Sequence, residues 1–178
     1  MKKVAVLVSL LCSGAIVAAA AQRIQTHSAE PHLKQVFPNA VAFSPFGGNP
    51  LHYKAYGTDP RQNPSAPPIG FVFWTTDLVP KEQGYHSPIH ILVGMNTAGV
   101  LTGALVVWNL EPYSYFSIDP PKFAAQFKGK SIRDPFRVGA DVDAVSRASI
   151  SVSSATRAVR DSSRMVAQLL LPPDAVKQ

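Results

Sequence analysis

Two apolar, β-branched segments joined by a short connection constrain this fold more than any other feature of the sequence. Residues 89–95 and 100–108 are rich in Ile, Leu and Val. The connection Asn96-Thr97-Ala98-Gly99 is typical of a β-hairpin in which Gly99 adopts a positive φ. An aromatic and β-branched segment at 69–76 precedes them and predicts another strand. Clustered strands with short connections favour a mostly antiparallel sheet.

Helical patterns flank these strands. Residues 31–37 carry apolar side chains at i, i+3 and i+4 and predict a short helix, and residues 51–56 alternate and predict one more strand. Residues 120–127 predict a second short helix capped by Asp119. A long C-terminal helix is predicted before Pro172-Pro173 from one apolar face. That face contains Val152, Ala155, Val159, Ser162, Val166, Leu169 and Leu170. The predicted fold class is α+β: a mostly antiparallel sheet, flanking helices and a long C-terminal helix.

The N-terminus has the pattern of an export signal. Two lysines follow Met1, an apolar segment runs over residues 4–17, and small residues fill positions 18–21. This pattern predicts a signal peptide over residues 1–21 and a periplasmic mature protein, with an uncleaved membrane anchor as the alternative. Residues 22–30 are polar and predict a flexible N-terminus. Cleavage removes Cys12, the one cysteine of the chain, so disulfides and thiolate chemistry are excluded from the mature protein.

Composition and motifs exclude several classes of function. The chain has 17 Lys and Arg against 11 Asp and Glu, but the basic residues are scattered, which argues against nucleic-acid binding. No other segment is apolar enough to predict a membrane span after signal cleavage. The Gly-rich motifs of dinucleotide and P-loop sites are absent, as is the Gly-x-Ser-x-Gly motif. His86 and His90 have zinc-site spacing for a helix, but Pro88 lies between them, which favours one loop and one strand histidine.

A hydroxyl-rich segment, residues 143–151, leads into the long helix. One interpretation is helix capping, in which Ser149 or Ser151 accepts a hydrogen bond from a first-turn amide. The other is a phosphate site, because the free amides and the positive dipole end of the helix attract anions. The loop Gly84-Tyr85-His86-Ser87 before the hairpin is either a plain turn or a ligand-contacting edge of the sheet.

The motif Asp143-x-x-Ser146-x-Ala148-Ser149 resembles the flavinylation motif Asp-x-x-Ser/Thr-Gly-Ala-Thr of the FMN-binding domain family. That family includes the FMN-carrying subunits of Rnf and sodium-pumping NADH:quinone oxidoreductases and the periplasmic domain of NosR/NirI regulators. The NosR-like branch resembles this chain best, over about residues 31–170. The other matching segments, in chain order, are residues 33–40, 74–80, Gly84-Tyr85, Pro88-Ile89, Leu92-Val93-Gly94 and Glu111-Pro112.

The resemblance implies an FMN-binding domain over residues 31–171, followed by a C-terminal tail at 172–178. It implies FMN attached by a phosphoester to Ser149, made by a flavin transferase that uses magnesium and FAD. The chain departs from the motif at two positions, with Arg147 in place of Gly and Ser149 in place of Thr. Serine keeps the hydroxyl, and the arginine cation could pair with the phosphate.

The resemblance also implies roles for individual residues. Asp143 would present the hydroxyl to the transferase, and Ser146 and Ala148 would line the attachment loop. Gly84, Tyr85 and Ser87 would approach the isoalloxazine or the ribityl chain. Glu111 would mark the loop after the hairpin, where the family's domain also faces the flavin.

The function implied is that of a periplasmic flavoprotein for electron transfer or redox sensing, rather than a stand-alone enzyme. It would exchange electrons with a partner protein at the periplasmic side of the membrane. NosR-like proteins link such a domain to nitrous oxide and nitrite respiration. Two alternatives stay open: a binding or assembly module that kept the fold and lost the cofactor, and a hydrolase that uses one of the serines.

Overall fold

A five-stranded antiparallel sheet forms the centre of the fold. The computed structural model describes residues 29–176, so the predicted signal peptide, residues 22–28 and residues 177–178 lie outside the described part. The strands pair in chain order, each antiparallel to the next. They are β1 (Ala42–Phe43), β2 (Tyr53–Tyr56), β3 (Gly70–Trp74), β4 (His90–Asn96) and β5 (Leu101–Trp108). The predicted sheet is confirmed.

Six α-helices surround this sheet in the described chain. Five are one turn or little more, and the sixth, near the C-terminus, has 22 residues. A 3-10 turn at Glu30–His32 leads into the first. The helices are α1 (Leu33–Val36), α2 (Thr75–Leu78), α3 (Ser114–Ser117), α4 (Pro121–Ala125), α5 (Ser149–Leu170) and α6 (Pro173–Val176). With α5 in place, the α+β fold class with a long C-terminal helix is confirmed.

The hairpin of β4 and β5 is built as its sequence predicts. Gly99 has a φ of 75°, which an L side chain rarely adopts. The Asn96 side-chain oxygen accepts hydrogen bonds from the amides of Ala98 and Val100, both at 3.0 Å. These bonds fix the turn, so the strands it joins pair Leu92 with Leu105.

One face of the sheet packs against α5. Val152, Val159 and Val166 are fully buried in a cluster with Phe73 and Val93 of the sheet. Burial of such side chains contributes about 1.5–3 kcal/mol each. The prediction for Leu169 is wrong, because that side chain is 60 % exposed. At 100° per residue it lies at the margin of the apolar face, in the last turn of the helix.

The opposite face of the sheet is covered by α1. A Cβ added at Gly103 would lie 2.9 Å from the Val36 carbonyl oxygen, so glycine allows the backbone of α1 to approach β5 closely. The same oxygen accepts a hydrogen bond from the Thr102 hydroxyl at 2.6 Å. Coverage on both faces explains why β4 is buried from Ile91 to Met95.

Several local predictions need correction. Thr75 and Thr76 were expected in a strand but begin α2, since a single helical turn is too short to show a period in the sequence. Asp119 does not cap α4, whose N-cap is Pro120. The Asp119 carboxylate instead accepts a hydrogen bond from the Asn109 side-chain amide at 2.7 Å. None of the helices within residues 29–176 combines the length and apolar character needed to cross a bilayer.

Candidate functional site

A cavity of about 500 Å³ lies at the start of α5. Three segments form its wall: Tyr85 and His86 of the loop before β4, Pro112 and Tyr113 after β5, and residues 147–151. The volume is in the range typical of small-molecule and cofactor sites, about 300–1,000 Å³. The hairpin therefore brings the loops at 85–86 and 112–113 to the N-terminal end of α5, from which they are distant in sequence.

The site residues expected from the sequence fall into three groups in the structure. Tyr85, Arg147, Ala148 and Ser149 line the cavity. Gly84, Ser87 and Glu111 do not line it but form the support behind its wall. Asp143 and Ser146 are exposed on the turn that precedes α5. Tyr113 is the lining residue that sequence reasoning did not mention, and four more lie in segments it singled out without being assigned a contact with the cofactor: His86, Pro112, Ile150 and Ser151.

Glu111 is the acceptor that joins the two sides of the cavity. It is only 5 % exposed, although it carries a carboxylate. Its oxygens accept hydrogen bonds from the amides of Tyr85 at 2.8 Å, His86 at 3.0 Å and Ser87 at 3.5 Å. The Ser151 hydroxyl, on the first turn of α5, also donates to it. One carboxylate thus holds the loop 84–87 to the helix start.

The surroundings of Glu111 favour its charged form. Burial raises the pKa of its carboxyl, but the hydrogen bonds from Ser151 and from the amides of His86, Tyr85 and Ser87 lower it by more. The net pKa is below the ordinary value of a glutamate. Glu111 is therefore ionised at neutral pH, and its charge is compensated by these donors rather than by a cation.

Gly84 fits this arrangement because it has no side chain. A Cβ added at this position would lie 2.5 Å from Glu111 Oε1, which is closer than such atoms approach in real structures. The glycine therefore lets the loop backbone lie directly against the carboxylate. The structure places Gly84 in the support of the site, where the sequence had suggested a contact with the cofactor.

The start of α5 has no side-chain cap. Its N-cap is Ala148, so the interpretation of Ser149 or Ser151 as the capping residue is wrong. Ser149 is exposed and its hydroxyl forms no hydrogen bond with residues 29–176, whereas that of Ser151 donates to Glu111. The amides of Ser149, Ile150 and Ser151 likewise find no acceptor in the described chain. Free helix N-terminal amides attract anions.

The turn before α5 has a backbone conformation that favours glycine. Arg147 has a φ of 68°, in the left-handed region, at the position where the resembling motif has Gly. The Ala148 amide donates to the Val145 carbonyl at 3.2 Å, which closes the turn. The Asp143 amide donates to the Gln126 side-chain oxygen at 2.7 Å and anchors the beginning of the segment. Arg147 thus adopts a backbone conformation that glycine adopts without strain.

Exposed apolar side chains surround the mouth of the cavity. Tyr85 is 62 % exposed, Tyr113 45 % and Ile150 53 %. Large exposed apolar surfaces grouped around a concave site are typical of ligand binding. The aromatic faces suit a planar ring system, while the hydroxyl, the free amides and the Arg147 cation suit a phosphate. The lining of the cavity therefore fits a molecule that carries both a planar ring system and a phosphate.

The two histidines at zinc-site spacing are held apart by their elements. His86 lies in the exposed loop beside Tyr85, with ring centroids 5.0 Å apart. His90 is in β4 and its ring packs edge-on against Trp108 at 5.1 Å. Among the residues that the structure describes, no three His, Cys, Asp or Glu side chains are grouped closely enough to hold a metal ion.

Comparison with protein families gives one finding. Residues 84–163 match the family model described as the FMN-binding domain. The matched segment, just under half of the chain, begins at Gly84 and ends within α5, so it encloses every wall of the cavity. The match indicates a flavin-binding protein with FMN as its cofactor. No curated protein matches the chain at a significant level.

Proposed function

We propose that this protein is a periplasmic flavoprotein that carries FMN covalently on Ser149 and acts in electron transfer or redox sensing. One observation carries the proposal. The hydroxyl in the last position of the flavinylation-like motif is exposed at a cavity with aromatic walls, inside the segment that matches FMN-binding domains. The Ser149 hydroxyl has no other role in the described structure, because it neither caps α5 nor forms a hydrogen bond with residues 29–176.

The cavity offers different surfaces to the two ends of FMN. Tyr85, Tyr113 and Ile150 provide apolar surface for the isoalloxazine ring. Ser149 and the free amides of the first turn of α5 provide donors for the phosphate. Glu111 acts behind the wall, since it holds the Tyr85 loop and the Ser151 turn at a fixed separation.

The attachment step is a phosphoryl transfer from FAD. The Ser149 oxygen attacks the FMN phosphorus, the bond between the two phosphates of FAD breaks, and AMP leaves. The hydroxyl proton ends on the departing AMP phosphate or on solvent. A magnesium-dependent flavin transferase supplies this reaction, and Asp143, exposed six residues before Ser149, is available to orient the hydroxyl.

When bound, FMN supplies redox chemistry, and the protein supplies position, electrostatics and contact with partners. An electron carrier needs no catalytic side chain of its own, and the cavity wall contains none arranged as an acid–base pair. The periplasmic site of action rests on the predicted signal peptide, which lies outside the described residues. The resemblance to NosR-like domains supports a role beside nitrous oxide or nitrite respiration, through a separate redox partner.

Mass spectrometry of protein produced together with a flavin transferase tests the attachment. The Ser149→Ala variant is expected to lose the FMN adduct and to keep its fold. Ser65→Ala is the control, because Ser65 is an exposed serine that lies outside the motif and does not line the cavity. An undiminished adduct on Ser149→Ala would refute Ser149 as the attachment site, and colourless wild-type protein would favour the cofactor-free binding module.

A further inference from the structure

We propose that Arg147 is a phosphate-binding residue that makes this site select FMN over riboflavin even without the ester bond. The inference rests on the proposed flavin function and assigns to this chain a specificity determinant at a position where the related motif has glycine. The observations that support it concern the position of Arg147, its lack of partners, its backbone and the charge around it.

Arg147 is placed at the cavity without a task in the rest of the described structure. It lines the cavity two residues before Ser149 and is exposed. Its guanidinium forms no hydrogen bond or ion pair with any residue from 29 to 176. Most other arginines near α5 are engaged within the protein, as shown by Arg157 with Glu82 at 2.7 Å and by Arg164 with the Ile132 carbonyl at 3.0 Å.

The backbone at this position works against an arginine. Its φ of 68° lies in the left-handed region, where a residue with a side chain is strained and glycine is not. No contact of the Arg147 side chain with the described chain offsets this backbone strain. No contact within the described chain explains an arginine at this strained position. A contact with a ligand of the cavity would explain it.

The charge of the cavity wall points to an anion. Arg147 is the one Lys, Arg, Asp or Glu among its lining residues, since the others are aromatic, aliphatic or hydroxyl-bearing. Glu111 lies behind the wall, and its carboxylate is already satisfied by Ser151 and by three amides of the loop 84–87. The wall of the cavity therefore carries the Arg147 cation beside the Ser149 hydroxyl, whereas the Glu111 carboxylate lies behind it.

A guanidinium binds a phosphate through two parallel N–H···O bonds, which are charge-assisted and stronger than bonds to neutral groups. Riboflavin has the same ring and ribityl chain as FMN but lacks the phosphate. The ratio of the dissociation constants of riboflavin and FMN therefore measures how much the phosphate contributes to binding, independently of the ring. If Arg147 supplies that contribution, removal of its charge reduces the preference and leaves riboflavin binding unchanged.

The experiment uses the Ser149→Ala protein produced without a flavin transferase, so that all binding is noncovalent. FMN and riboflavin are titrated separately, and flavin fluorescence reports the two dissociation constants. In this background FMN is expected to bind about tenfold to a hundredfold more tightly than riboflavin. Addition of Arg147→Gln is expected to abolish most of that ratio, and Arg147→Lys to restore part of it.

Two controls make the result specific. Gln at position 147 keeps a non-glycine side chain, so the backbone strain is unchanged. Arg137→Gln removes an exposed cation that lies away from the cavity and is expected to leave the ratio as it is. An unchanged FMN-to-riboflavin ratio in Arg147→Gln would overturn the inference while the flavin function stands. Failure of every variant to bind either flavin would also overturn the inference, whereas the proposed function is refuted by absence of the covalent adduct when the wild-type protein is produced with a flavin transferase.

Discussion

Replacement of Glu111 by Gln is expected to destabilise the apoprotein by about 2–3 kcal/mol. Glutamine has nearly the shape of glutamate, but one of its two oxygens becomes an NH₂ donor. If the NH₂ group replaces Oε2, the Ser151 hydroxyl can rotate and accept a hydrogen bond from it. The Tyr85 amide, however, loses the acceptor that it has at 2.8 Å. A buried donor left without a partner costs about 1–3 kcal/mol, and the remaining bonds lose the assistance of the charge.

Chemical and thermal denaturation of the apoprotein at pH 7 measure this loss. For a domain of this size the melting temperature is expected to fall by about 5–10 °C. Glu82→Gln is the matched control, because it makes the same chemical change in an ion pair with Arg157, whose side chain is 44 % exposed. Such surface pairs contribute about 0–1 kcal/mol. If Glu111→Gln is no more destabilising than Glu82→Gln, the assignment of Glu111 as the acceptor that joins the two sides is refuted.

The pH dependence of the same variant gives an independent check. The pKa of Glu111 is lower in the folded protein than its ordinary value of 4.5. Its ionised form therefore stabilises the fold fully above that value, and this stability is lost as the pH falls through the lower folded pKa. The difference in unfolding free energy between wild type and Glu111→Gln should be constant near neutral pH and shrink below about pH 4. A difference that grows on acidification would contradict this account.

Three further substitutions test the support of the site. Gly84→Ala is expected to destabilise the apoprotein by about 1–3 kcal/mol in denaturant titrations, because its Cβ would collide with the Glu111 carboxylate. Gln126→Ala frees the Asp143 amide and should raise hydrogen exchange at that amide, with a loss of about 1 kcal/mol; unchanged exchange would argue against the anchor. Arg147→Gly relieves the positive φ and is expected to stabilise the apoprotein by about 0.5–1 kcal/mol, and a loss of stability would contradict the strain argument.

The parts of the fold that follow from the sequence are those with long local patterns. The β4–β5 hairpin is predicted because Gly99 and Asn96 meet the needs of a tight turn between two apolar runs. Helix α5 is predicted because its buried positions repeat over six turns, and only the margin of its face, at Leu169, was wrong. Elements of one turn, such as α2, carry too few residues for a period to appear.

The sequence predicted the residues of the attachment loop before α5. It did not predict the hydrogen bonds behind the cavity wall. Ser149 and Arg147 were recognised because one short motif contains them, and Tyr85 because it adjoins the hairpin. The hydrogen bonds of Glu111 join residues 26 and 40 positions apart, and no local pattern encodes such contacts. The left-handed φ of Arg147 could be inferred from the glycine of the related motif, but its lack of partners required the structure.

Peptide mapping of protein matured beside a flavin transferase tests the central claim most directly. Trypsin cuts after Arg147 and Arg157, so Ser149 lies on a short peptide that begins at Ala148. The account predicts about one flavin per chain, recovered on this peptide as FMN joined with loss of water. Protein without flavin, or flavin recovered on a peptide that contributes nothing to the cavity, would contradict it.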